Sequence, residues 1–313
     1  MELMSEQTMM WSAFGLLVVI MLVIDLGLSR KSHEISFREA LTWTGVWISL
    51  AMVFNIGVYY YLGKTKALEF FTGYIIEKSL SVDNLFVFIM IFSYFQIPRL
   101  YQPKILKWGI IGALVLRGIF IYVGIGLLET FHWLIYIFGG VLIITGIKMA
   151  FGGEEKIEPE KNLLVKLVRR FLPITKRVHG GRFIINKLGA RAVTPLFLAL
   201  IMVEWSDVIF ALDSLPAVFA VTRDPFIVYT SNVFAIMGLR ALYFLLSNVM
   251  GMFAYLKMGI SFVLAFVGIK MLLADTRFEI PVHFSLGVIF GVLFISIITS
   301  IIMEKKGADT DVA

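Results

Sequence analysis

Glu77, Lys78 and Asp83 sit in EKSLSVDN, residues 77–84, inside FFTGYIIEKSLSVDNLFVFIMIF, a stretch otherwise oily enough for lipid. Glu204, Asp207 and Asp213 recur in MVEWSDVIFALDS, another such stretch. An ionised side chain at the bilayer centre costs at least about 2.5 to 3.5 kcal/mol even on the lenient insertion scale, so these acids need a purpose. Their carboxylates, the Asn84 amide and the hydroxyls of Ser79, Ser81, Ser206 and Ser214 are oxygen donors. Such a set suits a hard divalent cation, Mg²⁺, Ca²⁺ or Mn²⁺. Zinc and copper prefer His and Cys. Cys is absent, and His33, His132, His179 and His283 fall in loops or at expected helix ends.

The cations near mid-membrane are Lys78, Arg117 and Arg240. Lys148 and Lys270 lie close enough to helix ends to snorkel. Five acids against three bases leave two negative charges in excess. One divalent metal ion, or two protons, cancels them, and exchange between those states is a proton-coupled cation cycle in outline. Arg117 and Arg240 read as countercharges that keep the acids ionised rather than as ligands. Lys78 reads as an ion-pair partner or as a charge that fills the site when the ion leaves. Glu204 reads equally as a ligand or as a helix–helix hydrogen-bond partner. The reading fails if the acids lie far apart, or if each is already matched by Arg or Lys with no room for an ion.

These residues need a membrane scaffold, and the composition supplies one. Of 313 residues, 59% are hydrophobic and 16% charged, and mean hydropathy is +0.89. That describes an all-α polytopic membrane protein. A helix needs about 20 apolar residues to span lipid. Nine segments qualify: 9–28, 41–62, 68–95, 106–126, 131–151, 193–220, 226–248, 256–274 and 281–303. They are continuous runs rather than alternating strands, which argues against a barrel. The first has no basic region before it and no cleavage site after it, so it reads as a true span. Without Cys, disulfides, iron–sulfur clusters and thiolate metal sites are excluded.

Lys and Arg fall unevenly between the two sets of loops, 19 on one side and four on the other. The positive-inside rule places the N-terminus outside and the C-terminus in the cytoplasm. The net charge of +6 then faces anionic lipid headgroups and calls for no nucleic acid. The long loop 152–192 carries KNLLVKLVRRFLPITKRV, whose Leu163, Leu164, Leu167, Val168, Phe171 and Leu172 predict a basic amphipathic helix on the inner leaflet.

That loop separates two similar units. Glu77…Asp83-Asn84 matches Asp207…Asp213-Ser214, GALVLRGIFI at 112–121 matches AIMGLRALYF at 235–244, and GIKM recurs at 146–149 and 268–271. The offsets are 130, 123 and 122. Each unit has three helices, an odd number, so the second enters the membrane inverted, as in many secondary transporters. The organisation is then a two-helix segment (1–67), repeat 1 (68–151), the basic loop (152–192), repeat 2 (193–275), and a final helix with its tail (276–313). Glu77 and Asp83 are about 240° apart on a regular helix, and Pro216 follows Asp213, so a break is expected near both acidic motifs.

EKSLSVDNLFVF and MVEWSDVIFALDSLPAVFAVTRDPFIVYTSNVFAIMGLRALYFLL resemble the TerC family of integral membrane proteins, from about residue 11 to 303. The similarity is closest to its pH-responsive Alx branch. The resemblance implies a multi-pass protein of the bacterial inner membrane tied to manganese export, metal homeostasis and, historically, tellurite resistance. It implies metal-site positions at Glu77, Asp83, Asn84, Glu204, Asp207, Asp213 and Ser214. The expectation is an exporter with Mn²⁺ as cargo, protons as the exchange partner and no permanently bound cofactor. Ca²⁺ is the alternative cargo, and a membrane scaffold or biogenesis factor is the alternative class. No Ser–His–Asp, phosphate-loop or HExxH pattern points to an enzyme.

Overall fold

A computed structural model describes residues 2–27, 36–131, 133–151, 190–247, 256–273 and 280–310, with 173–175, 180–187 and a few single residues. Most of the basic stretch 161–178 lies outside the described residues, as do the side chains of Asp83 and Asp213.

The described residues are helical almost throughout, as the apolar runs dictate: α1 (Glu2–Gly27), α2 (Phe37–Tyr94), α3 (Gln102–Thr130), α4 (Leu134–Phe151), α5 (Pro195–Phe219), α6 (Pro225–Ile236), α7 (Leu239–Ser247), α8 (Leu256–Leu272) and α9 (Val282–Thr310). Between α4 and α5, in the loop where a surface helix and no strand is expected, lies a small antiparallel hairpin, β1 (Ile184–Lys187) and β2 (Ala190–Val193). Lys104 fastens the preceding turn to α3 by donating to the Gly181 carbonyl at 2.7 Å.

By length and composition, five described helical segments can cross a membrane: Gln7–Asp25, Arg99–Thr130, Leu134–Phe151, Pro195–Phe219 and Val282–Ser300. The pair α6–α7, bent by 41°, makes a sixth if it is one span. Nine were expected. Among the remaining candidates, α8 has only 17 residues, and two expected spans run together in α2.

Ser36 caps α2 by accepting from the Glu39 amide. Inside α2, Gly63 has φ +88°, a left-handed conformation that a residue without Cβ adopts at no steric cost. The chain doubles back there. Phe54 and Phe70 are 16 residues apart, about 24 Å along a straight helix, yet their rings lie 5.3 Å apart. Both rings also pack on Phe234 of α6, at 4.7 and 5.9 Å.

The expected breaks at the acidic motifs are not found. Residues 77–84 are helical within α2, and α5 runs unbroken through Asp207 and Asp213 despite Pro216. The hydroxyls of Ser79, Ser81 and Ser206 donate to the carbonyls four residues back, at 2.7 Å each, and so bury their polarity on an intact helix. The break lies at Gly238, between α6 and α7. Its φ is +79°, and a Cβ there would fall 2.7 Å from the Trp47 ring. Backbone conformation and space both require glycine.

α4 and α8 form the tightest crossing, through small residues that let backbones approach. A Cβ on Gly268 would lie 2.6 Å from the Gly139 carbonyl oxygen, and one on Gly146 would lie 2.7 Å from that of Ser261. As one helix ascends the other descends, so the pair is antiparallel. Two buried apolar clusters result. One, around Trp47, Phe70 and Phe234, joins α2 to α6 and α7. The other, around Ile76, Leu142, Val218 and Leu264, joins α2, α4, α5 and α8.

Candidate functional site

Glu77 in α2, Arg117 in α3, Asp207 in α5 and Asn232 in α6 converge, each at most 4% exposed. Four helices thus deliver one polar side chain apiece to a dry interior. The Arg117 guanidinium lies side-on to Asp207, with Nη2 donating to Oδ1 at 3.1 Å and Nε to Oδ2 at 3.4 Å. Its Nη1 pairs with Glu77 Oε1 and donates to Asn232 Oδ1 at 2.9 Å. Asn232 Nδ2 donates to Glu77 Oε2 at 3.2 Å. The ring is closed: one cation spans two carboxylates from different helices, and one amide holds both the cation and an acid.

Glu204 stands one turn before Asp207 on α5. Its carboxylate fills the notch left by Gly112 of α3, where any Cβ would strike it. Its Oε2 is buried with no hydrogen-bond partner among the described residues, and the same holds for Ser214 Oγ. Asn84 is buried as well. Two carboxylates of two helices thus share one guanidinium, with Glu204 half-buried one turn away on α5. Among the described residues no group of three or more His, Cys, Asp or Glu is arranged to hold a metal ion, and the Asp83 and Asp213 side chains lie outside that set.

The other two expected countercharges are elsewhere. Lys78 donates to the carbonyls of Ala235 and Met237, at 3.1 and 3.4 Å. It therefore tends the carbonyl end of α6 at the Gly238 break, where a helix dipole favours a cation. Arg240, on α7, donates from Nη2 to the Asp25 carbonyl at 2.6 Å and to Asp25 Oδ1 at 3.3 Å. It binds α1, away from the carboxylates of α2 and α5.

Asn232 was not singled out from sequence. Its signal is faint: Thr230, Ser231 and Asn232 form a polar triplet in an apolar helix, and all three are buried. Gly112 is the other omission, since nothing local marks it as the seat of a carboxylate.

A second polar cluster lies at the Gly63 turn. Lys66 pairs with Glu69 at 2.9 Å and with Asp224 at 3.0 Å. Thr222 donates to Glu69 at 2.6 Å, and Asp224 caps α6 by accepting from the Phe226 and Ile227 amides. This network ties the α2 turn to the α5–α6 connection.

Residues 62–308 match the model of the integral membrane protein TerC family. An uncharacterized membrane protein of Myxococcus xanthus is 50% identical over 303 residues, 96% of this chain and 95% of that protein. Alx of Escherichia coli K12, which its name provisionally calls a membrane-bound redox modulator, is 47% identical over 300 residues, 93% of each chain. A Rickettsia bellii membrane protein is 39% identical over 298 residues, 95% of this chain and 98% of that protein. No solved structure matches. With four helices of the matched region meeting at Arg117 and the match covering most of its length, this chain belongs to the integral membrane protein TerC family.

Proposed function

We propose that this protein is a secondary transporter that exports a divalent metal ion, Mn²⁺ first among candidates, from the cytoplasm in exchange for protons. The observation that carries the reading is the meeting of Glu77 and Asp207, matched positions of the two acidic motifs, in a dry interior with one arginine for both. Buried carboxylates in excess of their cations need a further positive charge, and a metal ion or protons can take turns supplying it. Glu77, Asp83 and Asn84 on one side and Glu204, Asp207, Asp213 and Ser214 on the other would offer oxygen ligands. Oxygen ligands serve Ca²⁺ too, so preference for Mn²⁺ rests on kinship.

An inverted pair of three-helix units within nine spans, N-terminus outside in a bacterial inner membrane, is the topology we propose. The α4–α8 crossing supports it. The offset of 122 pairs position 139 with 261 and position 146 with 268. In the fold Gly139 meets Gly268 and Gly146 meets Ser261. This exchange of partners is the signature of a two-fold axis running between antiparallel helices.

The rival reading is a scaffold in which the charges only hold helices together, and the pairing of Glu77 and Asp207 by Arg117 favours it. A redox role, as in the Alx name, would run without any Cys among these 313 residues. The deciding experiment is divalent-ion flux into proteoliposomes under an imposed pH gradient. Wild-type protein is expected to carry Mn²⁺. Asp83→Asn and Asp213→Asn are expected to abolish flux while the protein still folds. No wild-type flux of any divalent ion would leave the scaffold standing.

A further inference from the structure

Arg117 occupies the carboxylate oxygens that a cation bound between α2 and α5 would need. A guanidinium stays protonated throughout the accessible pH range, so it cannot give way by losing its proton. It must move. A doubly charged ion brought to Glu77 and Asp207 would meet the fixed positive charge at ion-pair distance, in surroundings too dry to screen it. Metal and guanidinium therefore exclude one another at these oxygens.

We infer that Arg117 is a tethered substitute cation: it offsets one of the two negative charges of Glu77 and Asp207 when no metal is present and is displaced when metal binds, so that it sets the affinity of the site. This rests on the transport reading above. Two features fit exchange better than a permanent brace. The Asp207 contact is side-on, with one arm stretched to 3.4 Å. Asn232 Oδ1 also accepts from Nη1, at 2.9 Å, while its amide nitrogen donates to Glu77, and the oxygen offers the arginine a neutral partner once it leaves the carboxylates. The arrangement also eases the return of the empty transporter, because the guanidinium offsets one of the two negative charges that would otherwise cross the lipid bare. The protein would then exist as two populations, arginine-bound and metal-bound, that the metal ion shifts by mass action.

The sign of one effect separates this role from a structural one. A brace that shapes the site weakens metal binding when removed, whereas a competitor strengthens it. Mn²⁺ binding to the purified full-length protein in detergent, read from the free-ion electron paramagnetic resonance signal, is the assay. Arg117→Gln is expected to bind Mn²⁺ roughly tenfold or more tightly, because a positive charge has left the site. It is also expected to release the ion slowly, so that liposome flux falls while affinity rises. Arg117→Lys keeps the charge but loses the planar fork that grips both acids. It should bind Mn²⁺ more tightly than wild type and less tightly than Arg117→Gln, and it serves as the test if Arg117→Gln does not fold. Unchanged or weaker binding in the folded variants overturns the substitute-cation role and leaves the transport reading intact. Absence of Mn²⁺ binding and flux in wild type overturns the transport reading itself, and this inference with it.

Discussion

Arg117 and Arg240 occupy matched positions in the two similar units, at the ends of GALVLR and AIMGLR, yet they work differently. Arg117 lies between the units and spans one carboxylate from each, with Asn232 on its flank. Arg240 turns away from the repeat and grips Asp25 of α1. The local cause is Gly238. Two residues before Arg240 the chain breaks, and the 41° bend re-aims α7, whereas α3 runs straight through Arg117. Similar local sequence thus does not dictate the same role: one arginine pairs with the clustered acids, and the other anchors α1.

The largest effect expected is at Arg117. Arg117→Leu leaves Glu77 and Asp207 buried together without a cation, a change that typically costs about 3 to 5 kcal/mol. Thermal unfolding in detergent should register it. Under the transport reading, Mn²⁺ should then stabilise this variant more than wild type, because the ion supplies the missing charge. Equal melting temperatures for the variant and wild type would show that Arg117 is not the charge that makes these acids tolerable.

Next comes Asn232→Leu. It leaves Glu77 Oε2 and one arm of Arg117 without their amide, for about 1 to 3 kcal/mol. Glu77 and Asp207 keep their cation, so the loss should be smaller than at Arg117. A double-mutant cycle with Glu77→Gln should show coupling, since the two residues share a hydrogen bond.

How far the site could be read in advance follows from the same residues. Glu77, Asp207 and Arg117 announce themselves because a charge inside an apolar run has no other explanation. Asn232 carries no charge, and its part depends on which helix the fold lays beside α2, which no local pattern encodes. The turn at Gly63 was legible: YYYLGKTKA places a glycine and two lysines between apolar runs. The break was misplaced because the six-residue spacing of the acids invites convergence. Glu77 instead turns to Arg117, and the serines satisfy themselves on an intact helix. Gly238 looked like any glycine in a membrane helix until Trp47 was seen against it. The hairpin β1–β2 sits in a loop whose charge pattern suggested only a surface helix.

Arg240→Leu should cost less than Arg117→Leu, because it strands one buried carboxylate, Asp25, rather than two. Its partner Asp25 also sits at the end of the apolar stretch of α1 rather than within a carboxylate cluster. The loss should be local. Limited proteolysis should cut the α1–α2 connection sooner, and the melting temperature should fall by the same amount with and without Mn²⁺. If metal rescues this variant as it does Arg117→Leu, the two arginines are not functionally distinct.

The smallest effect concerns Lys66, a cation that stands apart from both arginines. Burial alone would lower the Lys66 pKa, but hydrogen bonds to Glu69 and Asp224 outweigh it and hold the ammonium above its ordinary 10.5. A base whose pKa is raised by folding contributes stability that is complete below its unfolded value. That contribution is lost as pH rises through the folded value. Lys66 is about one-third exposed, so the amount is small, below about 1 kcal/mol. Between neutral pH and about pH 10 the wild type should therefore melt slightly higher than Lys66→Met, by a constant margin. Above the ordinary lysine value the margin should close, while the gap between wild type and Arg117→Leu should persist, because a guanidinium keeps its charge there. A Lys66 margin that widened in alkali would mean that burial outweighs the two carboxylates and that folding disfavours the ammonium.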